Sequence, residues 1–435
     1  MITSASLKES GVEYVEAKFL DLNGILRSRT FPVERYDAIK DGYGFDGSSV
    51  GFVDISDSDM VAKPIEETCR IMSCDGFKTA IFLCDLYKDD KPFDFSGRNI
   101  LKNLLKTIPY TVFKGPEIEF YLTKNGRPLD EATYMCSNPN DMGESFKKQF
   151  MKELNKSNSG LSIHVAHHEV GHSQHEFELQ YDEPVKMIDN TILFKINLRN
   201  FAKKEDLEVS YMPKPFLGRA GNGMHYHISL WKDGEPLFFK DDNELSDVGK
   251  NFIAGILEFS QEILLMTNGT VNSYKRLVLG HEAPVYVVWG HSNRSALIRI
   301  PKYKKFEPKT ARIEVRTVDA LNDHYLAFAA LIKAGMIGIK KELEPPKRYQ
   351  SSTYNLKRDE CKKLGIKVLP RNLNEAIEEA KNGTILKELL GPLFDRFIKL
   401  KQDEWHDYTI FLDKKGMSHD TEEVTEWEVK RYFNM

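Results

Sequence analysis

The stretches GPEIEFYL at 115–122 and GNGMHYHISLW at 221–231 decide how this chain is read. Both alternate polar and apolar residues, and a period of two marks strands with two unlike faces. In the first, Glu117 and Glu119 share one face while Ile118 and Phe120 take the other. In the second, His225, His227 and Ser229 lie opposite Met224, Tyr226, Ile228 and Leu230. ALIRIP (296–301) and ARIEVRTV (311–318) repeat the pattern, with Arg312, Glu314 and Arg316 on one face and Ile313 and Val315 on the other. A solvated strand face usually carries Lys, Thr and Ser. These faces carry Glu, His and Arg, and Arg is the residue suited to a bidentate grip on carboxylate or phosphate.

Outward from these strands, residues 12–32 read as two strands joined at Asn23-Gly24, a strong hairpin signal. Residues 38–51, AIKDGYGFDGSSVG, read as a glycine-rich loop, and TAIFLCDLY (79–87) as a further strand. The polar segment 88–97, with Pro and Gly, closes a small, mostly β domain at 1–97 and leaves a larger domain of mixed strands and helices at 98–435, an α+β organisation. Residues 247–266 and 325–343 have helical character, the second apolar nearly all round in its first half and therefore buried. From 372 onward short helical segments are punctuated by Gly383 and Gly391-Pro392, and TEEVTEWEVKRYF reads as a capped helix starting near Thr421.

The 435 residues carry 61 basic and 65 acidic side chains, a formal net charge of -4, which excludes a strong global pull toward nucleic acid or anionic membranes. No apolar stretch approaches the roughly 20 residues needed to span a bilayer. The start MITSASLKES has no apolar core of a signal peptide, and five cysteines (Cys69, Cys74, Cys84, Cys136, Cys361) show no zinc-type spacing, so a reduced, cytoplasmic protein is expected.

HHEVGHSQHEFE (167–178) places Glu169 and Glu176 around a Gly-containing turn, which reads either as a polar hairpin tip or as part of a metal site; no H-E-x-x-H helix can be drawn through it. Gly221, Asn222 and Gly223 let a ligand approach the backbone closely. Clustered acids beside arginines fit a polyphosphate held through divalent ions, with spare cations for charge that develops in phosphoryl transfer. No P-loop and no dinucleotide-binding glycine turn is present. From the residues alone, an ATP-using, metal-dependent transferase or ligase ranks first, because it uses both acids and arginines. A metal-dependent hydrolase leaves the arginines idle. A glycosidase lacks any mark of which Glu would stay protonated. A non-catalytic protein would leave convergent acids repelling one another.

FDGSSVG (45–51), GPEIEFYL, HHEV…SQHE (167–176), MPKPF (212–216), GNGMHYHISLW, NSYKRLVLGHEAP (272–284), NRSALIRIP (293–301) and RIEVRTVDA…YLAFAALIKAG (312–335) together resemble the glutamine synthetase family, in the family's order over nearly the whole chain. The resemblance implies an N-terminal β-grasp domain, a catalytic domain with an antiparallel sheet and flanking helices, and a homododecamer of two stacked hexamers with active sites shared between neighbours. It implies ATP, glutamate and ammonium as substrates and Mg2+ or Mn2+, two or more per site. By motif position, Glu119, Glu169 and Glu176 would hold one ion, and Glu117, His225 and Glu314 a second. Arg276 would grip the glutamate carboxylate, helped by Asn222 and Gly223. Arg294 and Arg316 would meet the transferred phosphoryl group, Arg299 and Arg312 the nucleotide phosphates, and His227 and Ser229 the nucleotide. Asp46, from a neighbouring subunit, would bind ammonium and take its proton, Ser49 would support its loop, and Glu282 would sit on the flap that closes over the site.

The chain departs from the family at the flap, where Leu279 and His281 replace Pro and Tyr, and at Asp323-His324-Tyr325, where the family has Asn-Pro-Tyr. Relatives that join glutamate to alkylamines or polyamines supply the alternative activity. Tyr354 lies where some relatives carry a nucleotidylated tyrosine, although by itself it reads as a surface tyrosine in a loop.

Overall fold

The structure, a computed structural model, describes residues 2–156, 160–240, 244–302 and 307–435. The Asn23-Gly24 signal holds. Strands β1 (Tyr14–Leu20) and β2 (Leu26–Pro32) pair antiparallel, from Tyr14 opposite Pro32 to Leu20 opposite Leu26. Asp21 closes the turn by accepting the N–H groups of Asn23 and Ile25, both at 2.9 Å, while Gly24 takes φ 78°. Strands β3 (Tyr43–Asp46), β4 (Asp59–Pro64), β5 (Arg70–Cys74), β6 (Phe77–Lys88) and β7 (Lys91–Pro92) complete a seven-stranded sheet in the order β2-β1-β6-β4-β3, with β5 and β7 also on β6.

β3 corrects the reading of 38–51 as a loop. Its glycines do not mark a turn throughout. A Cβ on Gly42 would lie 2.5 Å from Val61, so the small residue lets β3 approach β4 closely. FDGSS runs from the end of β3 into a turn. There Asp46 accepts hydrogen bonds from the Ser48 N–H (2.9 Å) and from the hydroxyls of Ser48 and Ser49.

The second sheet has ten strands: β8 (Thr111–Lys124), β9 (Arg127–Pro128), β10 (Ile163–His168), β11 (Gln174–Leu179), β12 (Glu208–Ser210), β13 (Tyr226–Lys232), β14 (Glu235–Pro236), β15 (Trp289–His291), β16 (Ile298–Ile300) and β17 (Ile313–Val315). Its main path runs β10-β11-β8-β13-β17-β16-β15. The pairs are antiparallel as expected, except the edge pair β15–β16, which is parallel.

The apolar face of this sheet packs against helices. His324–Lys340 is buried along most of its length. The expected helix at 247–266 is two helices, Asp247–Glu258 and Ser260–Thr267, broken at Phe259. The sequence reading passed over three helices, Gly97–Lys106, Glu144–Lys156 and Pro184–Lys204, although the first two are amphipathic and Ser96 caps the first. The last hides its periodicity because its buried side includes Asp189 and Asn190. Asp189 takes a two-pronged contact from Arg98 (3.0 and 2.9 Å) and the Tyr325 hydroxyl, and Arg98 also reaches Asp85 of β6 at 2.6 Å. One half-buried guanidinium therefore ties the first sheet to two helices of the second layer.

From 372 onward, Leu373–Asn382 and Ile385–Leu390 are short helices ending at Gly383 and Gly391 as expected, and Phe394–Lys415 then forms one 22-residue helix. The final helix is Glu426–Tyr432, not a helix from Thr421. Thr425 and Glu428 form a reciprocal capping box, whereas the Thr421 hydroxyl accepts the Glu423 N–H (3.2 Å) in a local turn.

The crossing of Asp247–Glu258 with His324–Lys340 depends on two glycines. A Cβ on Gly255 would stand 2.1 Å from the Ala334 carbonyl oxygen, and one on Gly338 would stand 2.1 Å from that of Asn251. Gly255→Ala is expected to force the helices apart and cost about 1–3 kcal/mol, read as a lower denaturant midpoint in chemical unfolding; an unchanged midpoint would show that the crossing tolerates a methyl group.

Candidate functional site

Strand register builds the site. β11 sets Glu176 opposite Glu119 and Glu178 opposite Glu117 on β8, and β10 sets His167 opposite Glu176. On the other side of β8, β13 sets His227 opposite Glu314 on β17, which faces Arg299 on β16. The polar residues of these alternating strands thereby fall on one face of one sheet, over a cavity of about 850 Å3. Glu117, Glu119, Glu169, Glu176, His225, His227, Arg276, Glu282, Arg294, Arg299, Arg312 and Arg316 all line it.

Hydrogen bonds link these residues in a chain. Glu117 meets His225 Nδ1 at 2.9 Å and His227 Nε2 at 2.6 Å. Arg312 Nε donates to His227 Nδ1 at 3.1 Å, so that nitrogen accepts and Nε2 carries the proton given to Glu117. Burial works against the Glu117 charge, but His227 and His225 hold its carboxyl well below the usual range. Glu314 is fully buried between the guanidinium groups of Arg299 and Arg316. Burial again opposes its charge, and Arg316 outweighs it, holding the carboxyl at about 2. Glu176 goes the other way: burial, then the charges of Glu117, Glu119 and Glu169, push it well above the usual range. Burial and Glu169 also push Glu119 up, against His225 and Arg276.

This donor set fits divalent cations. Glu117, Glu176 and His225 offer ligand atoms all within 4.8 Å of one another, and so do His167, Glu169 and Glu176. Carboxylate oxygens with one imidazole suit Mg2+ or Mn2+, and the repulsion that raises Glu176 is what a cation relieves. The grouping differs from the two expected triplets. Glu176 belongs to both groups and His167 joins one. Glu314 has both oxygens on arginines and does not line the cavity, and Glu119 Oε2 accepts the Gly223 N–H at 2.7 Å. A third group, Asp141, His168 and His175, is wholly buried, and the Lys147 ammonium already lies 2.5 Å from Asp141 and 3.4 Å from His175.

Other expected residues take different positions. Arg276 lines the cavity while donating to the carbonyls of Arg316 (2.9 Å) and Thr317 (2.7 Å). Asn222 is buried and its amide is occupied, donating to Ser210 and Met212 carbonyls at 3.1 and 2.9 Å and accepting from Gln174 at 3.0 Å. Gly223 is a close-approach position, since a Cβ there would stand 2.5 Å from Arg276 Nη2 and 2.7 Å from His225 Nε2. Ser229 accepts from the Trp231 indole at 3.0 Å. Asn222, Gly223 and Ser229 are not among the residues lining the cavity. Asp46 and Ser49 lie on the exposed FDGSS tip and do not line this chain's own cavity either. The serine hydroxyls and Ser48 N–H hold the Asp46 carboxyl down at about 2.

Tyr354 corrects its reading as a surface tyrosine. It is half-buried in the 3-10 turn Thr353–Asn355, lines the cavity, and accepts the Glu282 backbone N–H. Glu282 is exposed, with φ 55°, and Arg316 donates to its carbonyl at 3.3 Å. Sequence reasoning also passed over His167, Gln174, Glu178 and Arg219 in the lining. The first three sit in the quoted 167–178 stretch and could have been found by extending its period of two.

Linkage gives a test of the cation fit. The ionised Glu314, lowered in the fold, contributes stability present above about pH 4.5 that is lost as pH falls toward 2. Glu176, raised in the fold, contributes stability present below about pH 4.5 that is lost as pH rises through its folded value. A cation replaces the Glu176 proton, so Mn2+ should raise the melting temperature more at pH 8 than at pH 5. Equal shifts at both pH values would count against Glu176 as a ligand.

Comparison with known proteins agrees with the geometry. Residues 95–432 match the family described as glutamine synthetase, catalytic domain, and residues 11–89 match glutamine synthetase, beta-Grasp domain. The chain is 41% identical over 435 residues to the glutamine synthetase of Pyrococcus furiosus, covering 98% of this chain and 97% of that one. It is 36% identical over 453 residues to that of Methanocaldococcus jannaschii, covering 98% and 96%. Among solved structures it superposes on one titled "Apo GmaS without ligand" with a TM-score of 0.82 at 26% identity, covering 98% of each chain. A second, titled "GmaS/ADP complex-Conformation 1", gives a TM-score of 0.83, also at 26% identity and covering 99% of each chain. With a β-grasp sheet, a catalytic sheet whose acids and arginines converge on one cavity, and full-length likeness to these ligases, the chain belongs to the glutamine synthetase family.

Proposed function

We propose that the chain makes glutamine from glutamate and ammonia, using ATP, by way of γ-glutamyl phosphate. The observation that carries this reading is the convergence of Glu117, Glu176 and His225, ligand atoms within 4.8 Å of one another, in a cavity also lined by Arg294, Arg299, Arg312 and Arg316. The relatives named glutamine synthetase, at up to 41% identity over nearly the whole chain, support it.

A carboxylate resists nucleophiles because its own charge repels them. One γ-carboxylate oxygen of glutamate attacks the terminal phosphorus of ATP, ADP departs, and the acyl phosphate carries a good leaving group. Arg299 and Arg312 neutralise nucleotide phosphate oxygens, and Arg294 and Arg316 the transferred group. The Nε donors of Arg299 and Arg316 are buried without partners, as groups awaiting an oxyanion would be. Arg276 and the Gly221–Gly223 backbone hold glutamate. Glu117, Glu119, Glu169, Glu176 and His225, with His167 beside them, would hold Mg2+ or Mn2+, which would supply further positive charge to the phosphates, while Glu314 would reach the ions only if Arg299 and Arg316 released it. Asp46 of a neighbouring subunit binds ammonium and accepts its proton. The free ammonia attacks the acyl carbon, and phosphate leaves. Glu282 closes the site, which keeps water from the acyl phosphate.

Asp46 lies outside its own chain's cavity lining, as a residue serving a neighbour's site would, and the ring-stacked dodecamer that the family resemblance implies would bring the two together. We place the domain division at 97/98, a few residues past the gap between the family matches at 11–89 and 95–432. Five free cysteines accord with a reduced, cytoplasmic setting.

A second reading, an organic amine in place of ammonia, is favoured by two observations: the superposition on GmaS, a γ-glutamylmethylamide synthetase, and His281 lining the cavity on the flap. Glutamate-dependent ADP release should appear with ammonium; release with methylamine, ethanolamine or spermidine but not with ammonium would replace the first reading by the second. Arg294→Ala should lower turnover by on the order of 10²–10³, as for loss of one charge-stabilising donor. Asp46→Ala should cripple use of ammonium and spare ATP affinity, and an equal loss of ATP binding would remove Asp46 from its role.

A further inference from the structure

A separate cavity of about 200 Å3 lies where the β1–β2 turn meets the helix Pro184–Lys204, and it shares no lining residue with the cavity over the sheet. One side is hydrocarbon, from Ile25, Leu26 and Ile192. The other presents Lys195 and Arg199, one helical turn apart, and His324. Both cations lie over the Tyr211 ring, at 5.0 and 4.8 Å. Lys195 donates to the Ala320 carbonyl at 2.5 Å, and Arg199 donates to the carbonyls of Val209 (3.4 Å) and Met435. Among the described residues, neither forms an ion pair with an Asp or Glu side chain. Arg199 thus meets a main-chain oxygen of Met435, and the half-buried Lys195 ammonium, beside hydrocarbon and with no carboxylate in contact among the described residues, calls for an anion. Burial and the neighbouring Arg199 push Lys195 down to about 7, which agrees with that imbalance.

His324 adds an independent observation. It is 2% exposed, and its Nδ1 lies 2.9 Å from Asn322 Oδ1 and 3.1 Å from the Tyr226 hydroxyl, whose oxygen can accept as well as donate. The Asn322 amide nitrogen donates to the carbonyls of Thr267 (3.0 Å) and Asp319 (2.6 Å), so Oδ1 faces the ring and must accept. Nδ1 therefore carries the proton. Nε2 is a bare acceptor, buried, with no partner. This imidazole stands at one of the positions where the chain departs from the family pattern, and the proposed reaction does not use it.

We propose that this cavity binds a short aliphatic carboxylate bearing a hydrogen-bond donor on the carbon next to the carboxylate. The carboxylate meets Lys195 and Arg199, the donor meets His324 Nε2, and the hydrocarbon packs on Ile25, Leu26 and Ile192. A cavity of about 150 Å3 is known to hold a benzene-sized molecule, so this one suits roughly six to nine heavy atoms. An α-amino acid or a 2-hydroxy acid meets these requirements, whereas a 2-oxo acid lacks the donor.

Calorimetry and thermal shift on the full chain, with glutamate saturating the first cavity, test this with L-leucine, 2-hydroxy-4-methylpentanoate and 4-methyl-2-oxopentanoate. One equivalent of the amino or hydroxy acid should bind and raise the melting temperature, roughly tenfold more tightly than the oxo acid, as for one lost hydrogen bond. Tighter binding of leucine assigns the amino acid, and tighter binding of the hydroxy acid assigns its analogue. Lys195→Met should weaken binding by about tenfold or more without altering amide formation, since losing a half-buried cation with no carboxylate in contact does not threaten the fold. Ile25→Trp, entering from the half-exposed turn, should fill the cavity and abolish binding. No shift with any of the three compounds, binding undiminished in both variants, or an oxo acid that binds as well as the others would each overturn the proposal.

Discussion

Repulsion among buried carboxylates on one face of the ten-stranded sheet is the constraint on which the rest of the structure depends. Glu117, Glu119, Glu169 and Glu176 line one cavity, and a charge there cannot be screened by bulk water. The fold answers with basic groups at fixed register. His225 and His227 flank Glu117, and Arg299 and Arg316 grip Glu314. Glu176 has only His167, 3.8 Å away, and burial with the neighbouring carboxylates pushes its carboxyl well above the usual range. A site left short of positive charge at one point is a site prepared for cations.

Order is maintained further out by buried polar contacts that leave little freedom. Arg98 joins Asp85 of the first sheet to Asp189 on the helix Pro184–Lys204 and, through Asp189, to Tyr325. Below the acidic hairpin, His168 contacts Asp130 at 3.2 Å and the Glu169 carbonyl at 2.7 Å, and Asp130 also accepts the Ser173 N–H at 2.9 Å. The turn that presents Glu169 is thus held from beneath. Such networks are stabilising only when every member is satisfied, which couples the geometry of the cavity to the packing of the whole second layer.

Much of this was legible beforehand, for a physical reason. A strand with one face in the core and one toward a cavity must alternate, so GPEIEFYL, MHYHISLW and RIEVRTV announced both their structure and their chemistry. Asn23-Gly24 announced its hairpin because few other pairs accept that backbone. The helix Pro184–Lys204 escaped because Asp189 and Asn190 sit on its buried side, where tertiary partners satisfy them. β3 escaped because the glycines that flank it, Gly42 and Gly47, serve close approach to β4, which composition cannot distinguish from a loop. Tyr354 escaped because its enclosure is made by the Glu282 segment, far away in sequence.

The sequence by itself determined which residue types face which way along each strand, since that follows from local periodicity, and it carried the family's motifs in order. Which acids share a cation, which are neutralised by arginine, and that Lys195, Arg199 and His324 meet in one cavity were decided only by tertiary structure. Those relations depend on the register between strands and the packing of distant segments. Distances of a few ångströms between side chains hundreds of residues apart have no counterpart in local pattern.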